Sequence, residues 1–273
     1  HSEIIMLTTM VIGYDDDNDT DDNGDDDNAN DNNADDDDEL QGKFVFRTCV
    51  RMCRRRFVRL WWRKAAALFK RRSNLLNLKK NWGIEDDKFK ILLPGRLTNW
   101  KGQLNFIEAL NILIEDYKKD KFQAIILGSD QGRNVYKKKL QSLIDRYNLN
   151  KKIKLIEHCK EMPLAYSISD IVVSSSIEPE AFGRVAVEAQ AMQKPIIATK
   201  LGGSMETIIN NKTGFLYKFD DPRELAKNIN SFMETDKLAL NIMGVEGRKN
   251  VVKKFDVEKM CQTTFTEYKK LFQ

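Results

Sequence analysis

Asp170-Ile-Val-Val-Ser-Ser-Ser-Ile-Glu-Pro-Glu-Ala-Phe-Gly-Arg-Val-Ala-Val-Glu-Ala-Gln-Ala-Met-Gln-Lys-Pro-Ile-Ile-Ala-Thr199 reads as strand, loop, helix and strand. Asp170–Ser174 and Pro195–Thr199 are short runs rich in β-branched residues, and Gly183–Met192 between them has a helical pattern. A strand, a helix and a second strand in this order predict two parallel strands joined by a crossover.

The same alternation extends outward. Upstream strand candidates are Lys90–Pro94, Phe122–Leu127 and Ile153–Ile156, and Gly214–Tyr217 follows downstream. Helical patterns cover Gly102–Tyr117, Arg133–Tyr147, Met162–Ile168 and Ser204–Asn210, and the chain reads as helical from Pro222 onward. This is an α/β pattern: a Rossmann-like parallel sheet with helices on both faces. Ligands of such sheets gather beyond the carboxyl ends of the strands. The loops Gly95–Lys101, Ser175–Phe182 and Lys200–Gly203 all follow strands, so they should share one edge.

Those loops carry the residues with chemistry. Glu180 lies on a loop and Glu188 eight positions later inside the helix that Gly183 opens. A glycine at a helix start lets a phosphate approach bare N–H groups at the positive end of the dipole. Glu188 lies about 7.5 Å further along the axis, in reach of a ribose diol. The alternative is a simple pair between Glu188 and Arg184 one turn earlier, in the weaker orientation. Arg96 and Lys101 sit in a strand-to-helix loop, Lys101 at the start of the next helix. A cation there opposes the helix dipole by about 0.3–1 kcal/mol unless an anion lies nearby, which suits a diphosphate; an ordinary solvated pair is the other reading. Gly202 and Gly203 allow close backbone approach, to a ligand or to the protein itself. Ser204 is a candidate N-cap and Glu206 a helix support. His158 follows a strand at the same edge, in reach of a nucleotide or a sugar, or as an ordinary surface residue. Cys159 has no evident base partner, and Asp170 reads as a loop anchor.

The net charge of +4 averages three unlike segments. Residues 1–42 hold 16 acids and no Lys or Arg, and residues 43–72 hold 12 Lys or Arg and no acid. The remainder, 73–273, carries +8 and reads as the folded domain. The first segment predicts a disordered acidic low-complexity tail; Asp19, Asp21, Asn23 and Gly24 resemble a calcium loop, but Asn30 stands where a bidentate Glu is needed. In the second segment Phe46, Val50, Cys53, Phe57 and Trp61 form an apolar stripe opposite Arg47, Arg51, Arg55 and Arg59. That basic amphipathic helix or linker could lie peripherally on an anionic membrane face, pack on the domain, or pair with the acidic tract. No nucleic-acid-binding module accompanies the charge. Four scattered cysteines fit neither a disulfide framework nor a zinc site, so a reducing, cytoplasmic compartment is expected. Dinucleotide, Walker, zincin and serine-hydrolase motifs are absent, which weighs against dehydrogenases, ATPases and serine hydrolases.

Gly95-Arg-Leu-Thr-Asn-Trp-Lys-Gly102, Asp170-Ile-Val-Val, Glu180-x7-Glu188, Pro195-Ile-Ile-Ala-Thr and Gly202-Gly-Ser-Met-Glu206 fall in an order that resembles the carboxyl-terminal half of a retaining glycosyltransferase of family 4. The resemblance covers about residues 75–270 and is similar in wording to bacterial members acting in envelope glycan or glycolipid assembly. It implies one half of a GT-B fold: the donor-binding Rossmann-like domain, with the acceptor held mostly by an N-terminal domain. It implies hexosyltransferase-type transfer from a nucleotide-sugar to a glycan or lipid acceptor, with retention of configuration, no cofactor and no required metal. Carried over, Arg96 and Lys101 bind the donor diphosphate, Glu188 the ribose, and Glu180 the transferred sugar or its phosphate neighbourhood. Phe182 and Gly183 lend N–H groups, and Gly95, Arg184, Gly202, Gly203 and His158 complete the expected donor site. The acidic tract and basic helix resemble no part of the missing N-terminal domain, and the chain begins at His1 rather than Met. A truncated or split enzyme is therefore expected, with a non-catalytic nucleotide-sugar-binding module or a degenerate fragment as the alternatives. An epimerase on the same fold fits the Glu180/Glu188 spacing less well.

Overall fold

The computed structural model describes residues 72–132 and 134–271. The expected acidic tail 1–42 and the basic helix 43–72, apart from its last residue, lie outside the described residues. The elements in chain order are α1 (Arg72–Trp82), β1 (Phe89–Pro94), a 3-10 turn (Asn99–Lys101), α2 (Gln103–Glu115), β2 (Phe122–Leu127), α3 (Asn134–Arg146) and β3 (Ile153–Ile156). They continue with α4 (Met162–Ile168), β4 (Ile171–Ser174), α5 (Arg184–Ala191), β5 (Ile196–Thr199), α6 (Ser204–Thr207), β6 (Gly214–Tyr217), α7 (Pro222–Glu234), α8 (Lys237–Lys254) and α9 (Val257–Leu271). The sheet and helices α1–α8 belong to one unit, and α9 belongs to a second.

All six strands run parallel in the order β3-β2-β1-β4-β5-β6. β1 pairs with β2 from Phe89↔Phe122 to Pro94↔Leu127, and with β4 at Ile91↔Ile171. The strand period of two explains why both faces are apolar. On one face Ile91, Leu93, Ala124, Ile126, Ile171, Val173 and Ile197 pack with Phe106 and Leu110 of α2, Leu140 and Ile144 of α3, and Ile229 and Phe232 of α7. On the other, Leu92, Ile125, Leu127, Val172, Ile196 and Ala198 pack with Tyr166 and Ile168 of α4 and Val185 and Ala189 of α5, and Leu75, Leu78 and Trp82 of α1 join that face. The order reverses between β1 and β4, and at such a switch point the two outgoing loops part and leave a crevice at the carboxyl edge.

Behind that crevice α8 holds α5 in place. Buried Gln190 of α5 donates from Nε2 to the Ala186 and Thr207 carbonyls, and Asn250 of α8 donates to the Thr207 carbonyl and to Gln190. At the opposite, amino edge the Lys90 N–H donates to Asp170 Oδ2 at 2.7 Å and the Asp170 N–H to the Lys90 carbonyl at 2.9 Å, so Asp170 is the loop anchor expected from its place before a strand. Asp221 and Asp236 cap α7 and α8, accepting from Glu224 and Ala239 N–H, each worth about 1 kcal/mol.

Some boundaries differ from the sequence reading. Helix α1 was not anticipated. The helix expected over Ser204–Asn210 ends at Thr207, and its N-cap is Gly203 with no side-chain cap, so Ser204 does not serve as one. Lys101 does not open α2: it closes the 3-10 turn, and Gly102 in a left-handed conformation (φ +67°) separates it from the helix.

Candidate functional site

The chain leaves β1 through Gly95, at φ +153°, whose α-carbon lies beside the Lys101 side chain. Arg96 then turns outward while Leu97 returns to the core. The Arg96 carbonyl accepts from buried Gln103 Nε2 at 2.8 Å, and Gln103 accepts in turn from the Tyr136 hydroxyl at 3.0 Å. Burial pushes that phenol up to about 12, so it remains a donor. The Arg96 guanidinium is exposed and has no protein partner among the described residues.

Gly102 explains how two loops far apart in sequence meet. A β-carbon there would lie 1.9 Å from the Ser175 carbonyl oxygen, so only glycine permits the approach, and its positive φ favours glycine again. The Ser175 hydroxyl bonds the Lys101 and Gly102 carbonyls at 3.0 Å each, and the Ile177 N–H donates to the Trp100 carbonyl at 2.8 Å. The β1–α2 and β4–α5 loops are thereby stapled together across the switch point.

Lys101 Nζ lies 2.8 Å from Glu180 Oε1, and each of the two side chains is 13% exposed. The ammonium also sits 4.2 Å from the centre of the Trp100 ring. The Ser176 hydroxyl donates to the same Glu180 oxygen. The third loop supports this one from beneath: the Gly203 N–H donates to the Glu180 carbonyl at 2.7 Å, and a β-carbon on Gly203 would lie 2.5 Å from the Phe182 carbonyl carbon. Gly202 packs equally closely on Glu180. The two glycines therefore meet the Glu180–Phe182 backbone, the protein-packing alternative for their small size. Phe182 sets its ring edge-on to Phe255, with centroids 5.6 Å apart.

Gly183, at φ +74°, is the N-cap of α5 and no side chain caps that helix. First-turn N–H groups lack intrahelical partners, so this end presents positive potential. One turn in, Glu188 accepts from the Tyr166 hydroxyl at 2.8 Å. Burial raises the Glu188 carboxyl above its ordinary value, against the pull of the Tyr166 hydroxyl, Arg184 and Lys101. Tyr166 is wholly buried and its phenol is pushed well up, by burial first and by Glu188 next. These mutual influences place Lys101, Glu180, Arg184, Glu188 and Tyr166 in one neighbourhood. Glu206 is exposed in the first turn of α6.

His158 lies elsewhere. It follows β3, two strands from β1, and is exposed in an open groove with Asn74, Asn77, Asn81 and Trp82 of α1. It shares the carboxyl edge with the Lys101–Glu180 group and makes no hydrogen bond or ion pair with it. Cys159 beside it is half-buried with its thiol raised by burial, the wrong direction for a nucleophile. Sequence reading missed Tyr166, Ser175 and Ser176. Tyr166 lies in the short Met162–Ile168 helix with nothing local to mark its partner, and nothing local to a serine run signals which carbonyl or carboxylate it will meet. Among the described residues no three His, Cys, Asp or Glu side chains converge as metal ligands, and no helix is long and apolar enough to cross a membrane.

Comparison with known proteins places the fold. Solved structures of similar fold include a glycosyltransferase of Rickettsia africae ESF-5, with 33% identity and a TM-score of 0.67, covering 74% of this chain and 52% of that one. Anabaena Alr3699/HepE, solved in complex with UDP and glucose, gives 30% identity and a TM-score of 0.66 over 73% of this chain and 53% of that one. The capsular polysaccharide biosynthesis glycosyltransferase CapM of Staphylococcus aureus is 28% identical over 170 residues, 62% of this chain and 43% of that protein. The chain spans about half the length of the relatives it matches. Residues 76–249 match the family model of glycosyl transferases group 1, which takes in the strand-order reversal, both stapled loops and Glu188, and the chain belongs to that family.

Proposed function

We propose that this chain is the donor-binding half of a retaining glycosyltransferase of family 4, taking a nucleotide-sugar as donor and a glycan or lipid as acceptor. The observation that carries the reading is that Lys101, Glu180, Glu188 and the uncapped start of α5 lie together at the switch point between β1 and β4, with Arg96 in the same β1–α2 loop. The UDP and glucose bound to the Anabaena relative support a nucleoside diphosphate-sugar in this place.

In this reading the diphosphate lies between the start of α5, where Phe182 and Gly183 lend N–H groups, and the Arg96 and Lys101 cations. As the bond from the sugar to the phosphate breaks, negative charge grows on the departing phosphate. Fixed cations and a helix terminus stabilise that charge without a metal or a cofactor. Glu188 receives the ribose diol. Glu180 begins paired with Lys101, so an arriving phosphate competes for the ammonium and turns the carboxylate toward the transferred sugar. Arg184, Gly95, Gly202 and Gly203 shape the wall of the same crevice. The acceptor is held by a domain that this half-length chain does not supply among its described residues, and residues 43–72 are proposed as a peripheral contact with the cytoplasmic membrane face. Capsular and related relatives favour an envelope glycan as the product.

A second reading is a nucleotide-sugar-binding module without transfer activity, in which the same residues hold the donor. A thermal-shift panel of UDP-, GDP- and ADP-sugars tests the donor site, because a bound ligand raises the melting temperature. No shift with any of them defeats the proposal. Product formation from a radiolabelled sugar nucleotide, with a candidate partner domain supplied, separates the enzyme from the module.

A further inference from the structure

The geometry points to Tyr166 as the positioning residue for Glu188, holding its carboxylate where the donor's diol must meet it. The inference rests on the donor-site reading above. Tyr166 stands on α4 and Glu188 on α5, neighbouring helices on the same sheet face. The phenol donates to Oε2 at 2.8 Å from a ring that is 0% exposed, so the contact is shielded from water. A carboxylate has about four lone-pair sites, and the phenol takes one of them, leaving Oε1 available for a diol. The groups that face Glu188 are Tyr166 from α4, Arg184 from α5 itself and Lys101 from the β1–α2 loop, while Glu180 also faces Tyr166. Without the phenol the acid is drawn toward Arg184 or Lys101, away from the position a ribose needs.

The support runs one layer deeper. The last carbonyls of a helix lack intrahelical partners. At the end of α4, Ser169 donates to the Tyr166 carbonyl from its N–H at 3.2 Å and its hydroxyl at 2.8 Å. Lys194 Nζ donates to the Ser167 carbonyl at 3.1 Å and the Ser169 carbonyl at 2.7 Å. The Lys194 main-chain N–H donates to the Ala189 carbonyl, next to Glu188, at 2.9 Å. One half-buried lysine therefore ties the end of the tyrosine's helix to the helix of the acid, and fixes their separation.

The test uses the full chain and titrates UDP and UDP-glucose by calorimetry from about pH 5 to pH 8, where carboxylates with raised values titrate. Tyr166→Phe removes the donor that favours the charged acid, so Glu188 takes up its proton at higher pH. Affinity should fall roughly tenfold, and the midpoint of its pH dependence should move up. A role confined to packing lowers the melting temperature and leaves that midpoint in place. If Tyr166→Phe does not fold, 3-fluorotyrosine at position 166 keeps the ring and makes a stronger donor, and the midpoint should move down. A wild-type chain that binds neither probe overturns the donor-site reading and this inference with it. A wild-type chain that binds, with variants that bind equally at every pH, overturns the inference alone.

Discussion

At the amino edge of the sheet Lys90, Asp170 and Lys194 form a charged group, and at the carboxyl edge Arg96, Lys101, Glu180 and Glu188 form another. At the amino edge the charges meet the backbone: Lys90 Nζ donates to the Asp86 carbonyl at 3.0 Å, Lys194 to two carbonyls, and Asp170 accepts a main-chain N–H. The carboxyl edge is not balanced in this way. Its arginine is exposed with no protein partner among the described residues, its helix start has no side-chain cap, and the carboxyl of partly buried Glu188 is raised by desolvation. Similar residue types thus serve as a brace where the main chain satisfies them and, in the proposed reading, as a binding site where it does not. An exposed cation and a bare helix start present the positive potential that an anionic ligand recognises.

Substitutions can break that contrast in turn. The largest effect is expected from Glu188→Ala, which should weaken UDP-sugar binding about thirtyfold, the loss of about 2 kcal/mol of charged hydrogen bonding, with the fold retained. Calorimetry beside a denaturation curve checks both halves. Asp170→Ala should do the reverse. It leaves the Lys90 N–H without its acceptor and should lower the unfolding free energy in urea by about 1.5 kcal/mol, with donor affinity per folded molecule unchanged. Arg96→Ala, at an exposed position, should cost about fivefold in affinity, and the difference from wild type should shrink as salt is added. Equal affinity in both Arg96→Ala and Glu188→Ala would sink the site assignment.

The subtlest effect sharpens the comparison. Burial raises the Glu188 carboxyl above 4.5, so the folded chain binds this proton more readily than the unfolded chain does. The ionised acid is then a cost to folding at neutral pH, and the cost shrinks as pH falls through the raised folded value and is gone below the unfolded one. Glu188→Gln should raise the melting temperature at pH 7 and lose that gain below about pH 4. A variant that is less stable at neutral pH would show that the carboxylate is part of the brace instead.

Much of the fold was legible because parallel strands packed on both faces read as short apolar runs. Phe122–Leu127, Ile153–Ile156 and Gly214–Tyr217 match their observed bounds. The edge shared by the three loops followed from strand direction alone. Helix α1 was hidden because basic residues continue into it and mask the Leu75, Leu78 and Trp82 stripe. The contact between Lys101 and Glu180 spans 79 positions and that between Tyr166 and Glu188 spans 22, so neither has a local signature. Lys101 stands two residues before the helix it was expected to open because the left-handed turn at Gly102 answers to Ser175, a residue from another loop. His158 follows β3, the outer strand of the sheet, so its place after a strand gives its edge but not its distance from the reversal.

The staple at Gly102 and Ser175 has a further effect. With the Ser175 hydroxyl on two carbonyls and the Ile177 N–H on a third, the loops around the crevice are already one rigid piece before any ligand arrives. The ordering cost of association then falls on the ligand's own rotatable bonds. A flexible diphosphate should therefore gain more from being pre-bent than the protein gains from further stiffening.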